Sequence, residues 1–176
     1  MLVGDVVRLR PFEPEEARAI WRWQSDPEVT QWLSDDYPES LAYRMARVAG
    51  WKPNSYEDVR LGIERPADGR LIGLARLRGA EPQTGHAEFG LYIGEKDCQG
   101  RGYGTEAARL MCSYGFARMR LHRITLWVVE ANVSAIHCYK KVGFVEEGRA
   151  REAFRDREGH WHDKVLMGLL ERDLRS

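Results

Sequence analysis

Between residues 99 and 107 the chain reads Gln-Gly-Arg-Gly-Tyr-Gly-Thr-Glu-Ala, with glycines at 100, 102 and 104 ahead of a stretch with helical spacing. Glycines let successive backbone N–H groups turn toward one point, and a following helix N-terminus adds positive potential, so the loop suits a bound anion such as a pyrophosphate. A tight strand-to-helix turn would use the same residues, and Arg101 reads either as a phosphate partner or as a solvated charge. Gly102-Tyr-Gly-Thr-Glu-Ala107 also fits the dinucleotide pattern G-x-G-x-x-A, with Glu130 as the ribose acid. Against it, Gly102 lies nine residues past Ile93, Glu130 follows Gly102 by 28 residues instead of about 20, and only 46 residues remain after Glu130. A P-loop is excluded, because no Lys-Ser/Thr pair follows the glycines.

Other chemistry-bearing residues are weighed in the same way. Glu88 is a carboxylate in an apolar strand; burial would raise its pKa and suit it to act as a base, directly or through water, while pairing with a neighbouring arginine is the structural alternative. Asn132 and Tyr139 are seven residues apart, two helical turns, and share a face; Asn132 also reads as an N-cap. His160-Trp-His162 has no cysteine nearby and only Asp163 adjacent, so no metal site is expected. His137 and Cys138 diverge by about 100° on a helix and form no nucleophilic pair.

These residues need a mixed α/β scaffold, and the patterning supplies the order β-α-α-β-β-β-α-β-α-β-β within one domain over 1–176. Val6 to Phe12 alternates as an opening strand, and a helix with Ala17, Ile20 and Trp21 on one face follows. Asp26-Pro27 starts a short helix, residues 34–38 form a loop, and a further helix spans Glu39 to Ala49. Asp58–Glu64, Arg70–Leu77 and Ala87–Ile93 form an antiparallel meander. The glycine loop and its helix lead to Ile124–Val129, whose apolar run fits a central parallel strand. Asn132 caps a helix that Gly143 ends, and strands Phe144–Phe154 and Trp161–Leu170 close the chain.

Gln99-Gly-Arg-Gly102-Tyr-Gly104 resembles the Q/R-x-x-G-x-G/A signature of the GNAT superfamily of N-acetyltransferases. Asn132, Ala135, Tyr139 and Gly143-Phe144 resemble that family's N-x-x-A-x-x-x-Y-x-x-x-G-F pattern, correctly spaced from the first. Val6-Val-Arg-Leu-Arg-Pro-Phe and Glu88-Phe-Gly-Leu-Tyr-Ile are similar to the RimJ/RimL-like branch. The resemblance implies acetyl-CoA as co-substrate, bound through Gln99, Gly100, Arg101, Gly102, Tyr103, Gly104 and Thr105 at its pyrophosphate. Backbone groups around Tyr92, Ile93 and Gly94 would hold the pantetheine arm, with Asn132, Tyr139 and Lys140 completing the cofactor side. It further implies that Tyr139 gives its proton to the CoA sulfur while a primary amine, on a protein N-terminus or a small molecule, attacks directly. Lys140 and Lys141 are set at the adenine-end phosphates or in solvent. Paired subunits are common in this branch, which implies a homodimer by analogy. The acceptor side falls to residues 26–57, where Trp32, Tyr37, Tyr43, Trp51 and Tyr56 accompany Asp35, Asp36 and Glu39; Trp32, Tyr37 and Glu88 are the substrate-binding candidates. These aromatics serve equally well as core.

The bulk properties set limits. The 176 residues carry 27 basic and 27 acidic side chains, which excludes a phosphate-backbone coat of the kind nucleic-acid binders use. The charges segregate: residues 99–141 hold seven basic against two acidic side chains, and residues 1–58 seven against eleven. A polyanionic cofactor at one end and a cationic amine at the other would each meet a favourable field. No apolar run approaches the ~20 residues of a membrane span. Three widely spaced cysteines and the absence of a signal pattern lead to the expectation of a cytoplasmic protein with reduced thiols. The competing functions are a CoA-sensing module without turnover and, less favoured by spacing, a nicotinamide oxidoreductase.

Overall fold

Eight strands form one sheet in the computed structural model, which describes residues 1–33 and 37–175. In chain order they are β1 (Leu2–Val3), β2 (Arg8–Arg10), β3 (Asp58–Arg65), β4 (Arg70–Glu81), β5 (His86–Ile93), β6 (Arg123–Val129), β7 (Val145–Arg155) and β8 (Trp161–Leu170). The helices are α1 (Ala17–Gln24), α2 (Pro27–Thr30), α3 (Leu41–Ala49), α4 (Tyr103–Ala117) and α5 (Val133–Val142). The spatial order is β1-β2-β3-β4-β5-β6-β8-β7. Only β5 and β6 run parallel, and all other neighbours are antiparallel.

The mixed α/β class and the meander are as expected. The front of the chain differs in its strands, since a short β1 precedes β2; the three helices before β3 are those expected after Phe12, at Asp26-Pro27 and up to Ala49, one more than the two that the order β-α-α-β-β-β-α-β-α-β-β counts. The opening strand is also shorter than Val6–Phe12. Its first residues are drawn elsewhere, because Glu106, in the first turn of α4, accepts the backbone N–H groups of Asp5 (2.8 Å), Val6 (2.8 Å) and Val7 (2.7 Å). Those bonds replace a sheet ladder and tie the N-terminus to the helix that follows the glycine loop.

Packing places the two helix groups on opposite sheet faces. Met111 and Phe116 of α4 and Val142 of α5 join Leu77, Ala87 and Phe89 in the main core. Ile20 and Trp23 of α1 and Val48 of α3 form a smaller core with Tyr92 packed against it. Asp26 starts α2 as predicted, its carboxylate accepting from Glu28 N–H at 3.0 Å, with Pro27 at the first helical position. Ser40 does the same for α3, accepting from Tyr43 N–H at 3.2 Å, so that helix starts after Glu39.

The parallel pair decides where a ligand can sit. β5 and β6 are registered only over His86–Glu88 against Arg123–Thr125. Phe89–Ile93 of β5 and Leu126–Val129 of β6 have no partner in each other. The sheet opens there into a splay bordered by α1–α2 on one face and α5 on the other.

Candidate active site

A cleft of about 830 Å³ passes through this splay, lined by Glu88–Ile93, Trp127–Val129, Gln99, Gly100, Asn132 and Tyr139, with Gln24, Val29 and Trp32 at the other face. Strand alternation dictates which backbone groups of β5 line it. Gly94 N–H bonds Ile72 O at 2.8 Å, and the antiparallel register pairs Tyr92 with Leu74, Gly90 with Arg76 and Glu88 with Arg78. Even-numbered residues therefore turn their N–H and C=O groups to β4. Leu91 and Ile93 turn theirs toward β6, where the partner strand has departed. Gly85 O, bonded to Arg123 N–H at 3.1 Å, and Ile93 O, accepting from Gln99 Nε2 at 2.9 Å, fit the same parity. Of the three residues expected to hold an arm of the ligand, Tyr92 and Gly94 are corrected, because they turn their backbone groups to β4; Ile93 faces the splay, with its C=O held by Gln99, and Leu91 faces it beside Ile93. Gly94 lies under the indole of Trp23, where a Cβ would come within 2.1 Å of the ring.

The glycine loop is open toward solvent. Gly100 (φ 71°) and Gly102 (φ 86°) are in the left-handed region, and a Cβ on either would meet nothing within 4 Å. Gly102 is the N-cap of α4 and supplies no side chain, so the first N–H groups of the helix at Tyr103, Gly104 and Thr105 have no side-chain cap. Space at the loop, uncapped donors and a strand edge with unpaired amides together fit an elongated ligand with a polyanionic middle and an amide-bearing arm. Arg101 is exposed, Thr105 donates its hydroxyl to Cys138 Sγ at 3.4 Å, and Lys140 is exposed near the end of α5, outside the cleft lining.

Tyr139 sits on α5 with its ring edge-on to Phe89 (centroids 6.2 Å apart) and Phe144 (5.7 Å). Only 8% of it is exposed, and burial pushes its phenol well above the usual value, so the hydroxyl keeps its proton. No hydrogen bond to that hydroxyl is made among the described residues. Asn132 caps α5, its Oδ1 accepting from Ala135 N–H at 3.2 Å, while also lining the cleft. Asn132→Ala is expected to cost about 1 kcal/mol through loss of this cap, lowering the thermal midpoint by about 2–4 °C in a denaturation scan. Cys138 borders the cleft beside Tyr139, and burial raises its thiol above the ordinary range, which removes it as a nucleophile.

Glu88 departs from the expectation of a buried base. Its side chain is 36% exposed, and Oε1 accepts from Arg78 Nη2 at 2.5 Å, because the β4–β5 register puts the two residues opposite each other. The arginine-paired alternative therefore describes it. On the acceptor face Trp32 lines the cleft, with its ring 5.8 Å from His162 and 6.1 Å from Phe154. Tyr37 does not join it: it is 91% exposed and borders a separate depression with Trp21 and Glu39. Trp51 packs edge-on to Phe12, Tyr43 points to solvent, and Glu39 is taken by Arg44 and Arg47, both at 2.5 Å. Asp35 and Asp36 lie outside the described residues. The acidic surplus of the first third of the chain is thus largely paired internally where it is described, as Asp26 and Glu28 are with Lys96. His162 is held by Asp156 at 2.7 Å, and among the described residues no group of three or more His, Cys, Asp or Glu side chains could hold a metal.

Trp127 and Lys164 line the cleft and were not singled out from sequence, and Leu91, Ala135 and Cys138 line it although no place in the site was expected of them. The strand parity that exposes Leu91 was readable once β5 was placed beside β4, but Lys164 reaches the site only through the β6–β8 register.

Residues 7–145 match the family model described as Acetyltransferase (GNAT) domain. Spermidine N(1)-acetyltransferase of Escherichia coli K12 is 30% identical over 149 residues, covering 84% of this chain and 77% of that protein. The Bacillus subtilis protein named "Probable N-acetyltransferase YjcK" is 31% identical over 184 residues, covering 98% of each. Among solved structures, spermidine N-acetyltransferase from Vibrio cholerae in complex with CoA and spermine superposes with a TM-score of 0.86 at 26% identity, covering 97% of this chain and 98% of that one.

Proposed function

The chain belongs to the GNAT acetyltransferase family and is an acetyl-CoA-dependent N-acetyltransferase, and from that premise we propose that it acetylates the primary amine of a small molecule by direct attack within the splay between β5 and β6. Acetyl-CoA supplies the acyl group as a thioester. The observation that carries the reading is the meeting, in one cleft, of the start of the glycine loop at Gln99 and Gly100, an unpaired strand edge and a buried, protonated tyrosine.

Each group has a task that follows from its chemistry. The N–H groups of Gly102–Thr105 receive the pyrophosphate, favoured by the helix dipole. The Leu91 and Ile93 backbone holds the pantetheine amides as a strand would, and the Leu91 N–H is positioned to stabilise negative charge developing on the acetyl carbonyl oxygen. The acceptor nitrogen forms its bond to the carbonyl carbon as the carbon–sulfur bond breaks. Tyr139 gives its hydroxyl proton to the departing sulfur, and the proton lost by nitrogen leaves through water toward Glu88, whose Oε2 has no protein partner among the described residues. Asn132 positions α5, and through it Tyr139. Trp32 walls the acceptor side.

We read residues 1–176 as one acetyltransferase domain of the RimJ/RimL-like branch, on the similarity of Val6–Phe12 and Glu88–Ile93, acting in the cytoplasm, where its three free cysteines suit a reducing compartment. A thermal shift measurement tests the site: CoA at a hundredfold excess over its dissociation constant stabilises the fold by about 2.7 kcal/mol, and NAD does nothing. Stabilisation by NAD and not by CoA would overturn the reading.

A further inference from the structure

The acceptor side of the cleft carries more positive than negative charge, which bears on what the amine substrate is. Sheet register lays out the face in rows: Asp58, Arg78 and Glu88 lie side by side across β3, β4 and β5, and Arg60, Arg76 and Gly90 form the next row. On the far side of the splay, Lys164 of β8 lies opposite Val129 of β6 and lines the same cleft as Arg76, Arg78 and Glu88. Three cations, Arg76, Arg78 and Lys164, thus face two carboxylates, Glu28 and Glu88, among the described residues that line the cleft. Asp58 accepts from Arg76 at 2.6 and 2.7 Å and pairs with Arg60 at 3.3 Å, and Glu88 is taken by Arg78. Glu28, at the rim, is 77% exposed and bridged to Lys96 at 3.1 Å.

Lys164 has no carboxylate partner among the described residues, and its Nζ stands 5.7 Å from the centroid of the Phe154 ring. Between it and the arginines, Gly90 leaves the floor open, since a Cβ there would meet nothing within 4 Å. A partly buried cation beside an aromatic ring and across from two arginines is an environment that a second cation destabilises and an anion stabilises.

We propose that the acceptor is a primary amine that also carries a carboxylate, its amine directed into the splay and its carboxylate held above Gly90 between Lys164 and the Arg76–Arg78 pair. The proposal rests on the acetyl-transfer reading above and sets this chain apart from the spermidine acetyltransferases it resembles, whose acceptor bears only positive charge.

The test uses the full chain with acetyl-CoA and compares kcat/KM, read as thiol release, for matched sets. Glycine, β-alanine and γ-aminobutyrate are set against ethylenediamine, propanediamine and putrescine, with the corresponding monoamines and spermidine. The best amino acid is expected to exceed its matched diamine by about tenfold or more. Lys164→Glu is expected to erase or reverse that order, leaving the KM for acetyl-CoA unchanged, and Lys164→Gln to fall between. Preference for the diamines or spermidine, or a rank order indifferent to Lys164→Glu, overturns the proposal while acetyl transfer stands. Absence of turnover with every amine, together with absence of CoA binding, overturns the transferase reading and the proposal with it.

Discussion

Tyr139→Phe is expected to lower kcat by about a hundredfold to a thousandfold, with the KM for acetyl-CoA and the thermal midpoint nearly unchanged. The substitution removes one oxygen and leaves the ring, which is what packs against Phe89 and Phe144. The hydroxyl makes no hydrogen bond among the described residues, so its removal strands no buried partner, and the stability cost stays small. What is lost is the proton donor for a thiolate. The pH profile sharpens the point: burial lifts the phenol above its usual range, so the donor form persists through neutral and mildly alkaline pH. In the unmodified enzyme no loss of rate from Tyr139 deprotonation is expected there. Steady-state kinetics across pH check both statements, and an undiminished kcat for Tyr139→Phe would remove the tyrosine from the chemistry.

Gly143→Ala is expected to be the most damaging small substitution for the fold, costing about 3 kcal/mol or more and about 6–12 °C in thermal midpoint. Gly143 ends α5 at φ 119°, where its N–H bonds Tyr139 O (3.1 Å) and Lys140 O (3.2 Å). An added Cβ would lie 1.9 Å from the carbonyl oxygen of Asp173, a backbone atom with little freedom to retreat. Strain and collision therefore act at the same residue. Because the last turn of α5 carries Tyr139, the folded fraction should also lose activity. A midpoint within about 2 °C of the unsubstituted protein would show that the C-terminal turn yields easily and that this end of α5 is not fixed as described.

Features carried by short-range spacing were legible in the sequence. The glycine loop, the Asn132 cap and the placement of Asn132 and Tyr139 on one helix depend on residues within a few turns of each other, and the structure places them accordingly. Features set by pairing between distant strands were not. Whether Tyr92 or Leu91 offers its amide to the cleft depends on which parity of β5 bonds to β4, a matter of the Gly73–Ile93 register. Glu88 looks buried from its apolar neighbours, yet that register delivers Arg78 to its side and leaves it partly in water. The same blindness applied to charge. Counting residues 1–58 as an acidic half predicted a field for a cation, but Glu16, Asp26, Glu28, Glu39 and Asp58 are committed to Arg10, Lys96, Arg44, Arg47 and Arg76. Lys164, more than a hundred residues downstream of that segment, reaches the acceptor wall only because β8 lies beside β6.

The central claim is that the splay between β5 and β6 brings a thioester and an amine together and that Tyr139 completes the exchange. Its most direct test incubates the unmodified chain with acetyl-CoA and an amine acceptor and measures free CoA thiol and N-acetylated product in the same sample. The account predicts that the two accumulate in equal amounts and that both fall together in Tyr139→Phe. Thiol release without N-acetylated product, or equal accumulation that Tyr139→Phe leaves untouched, would contradict it.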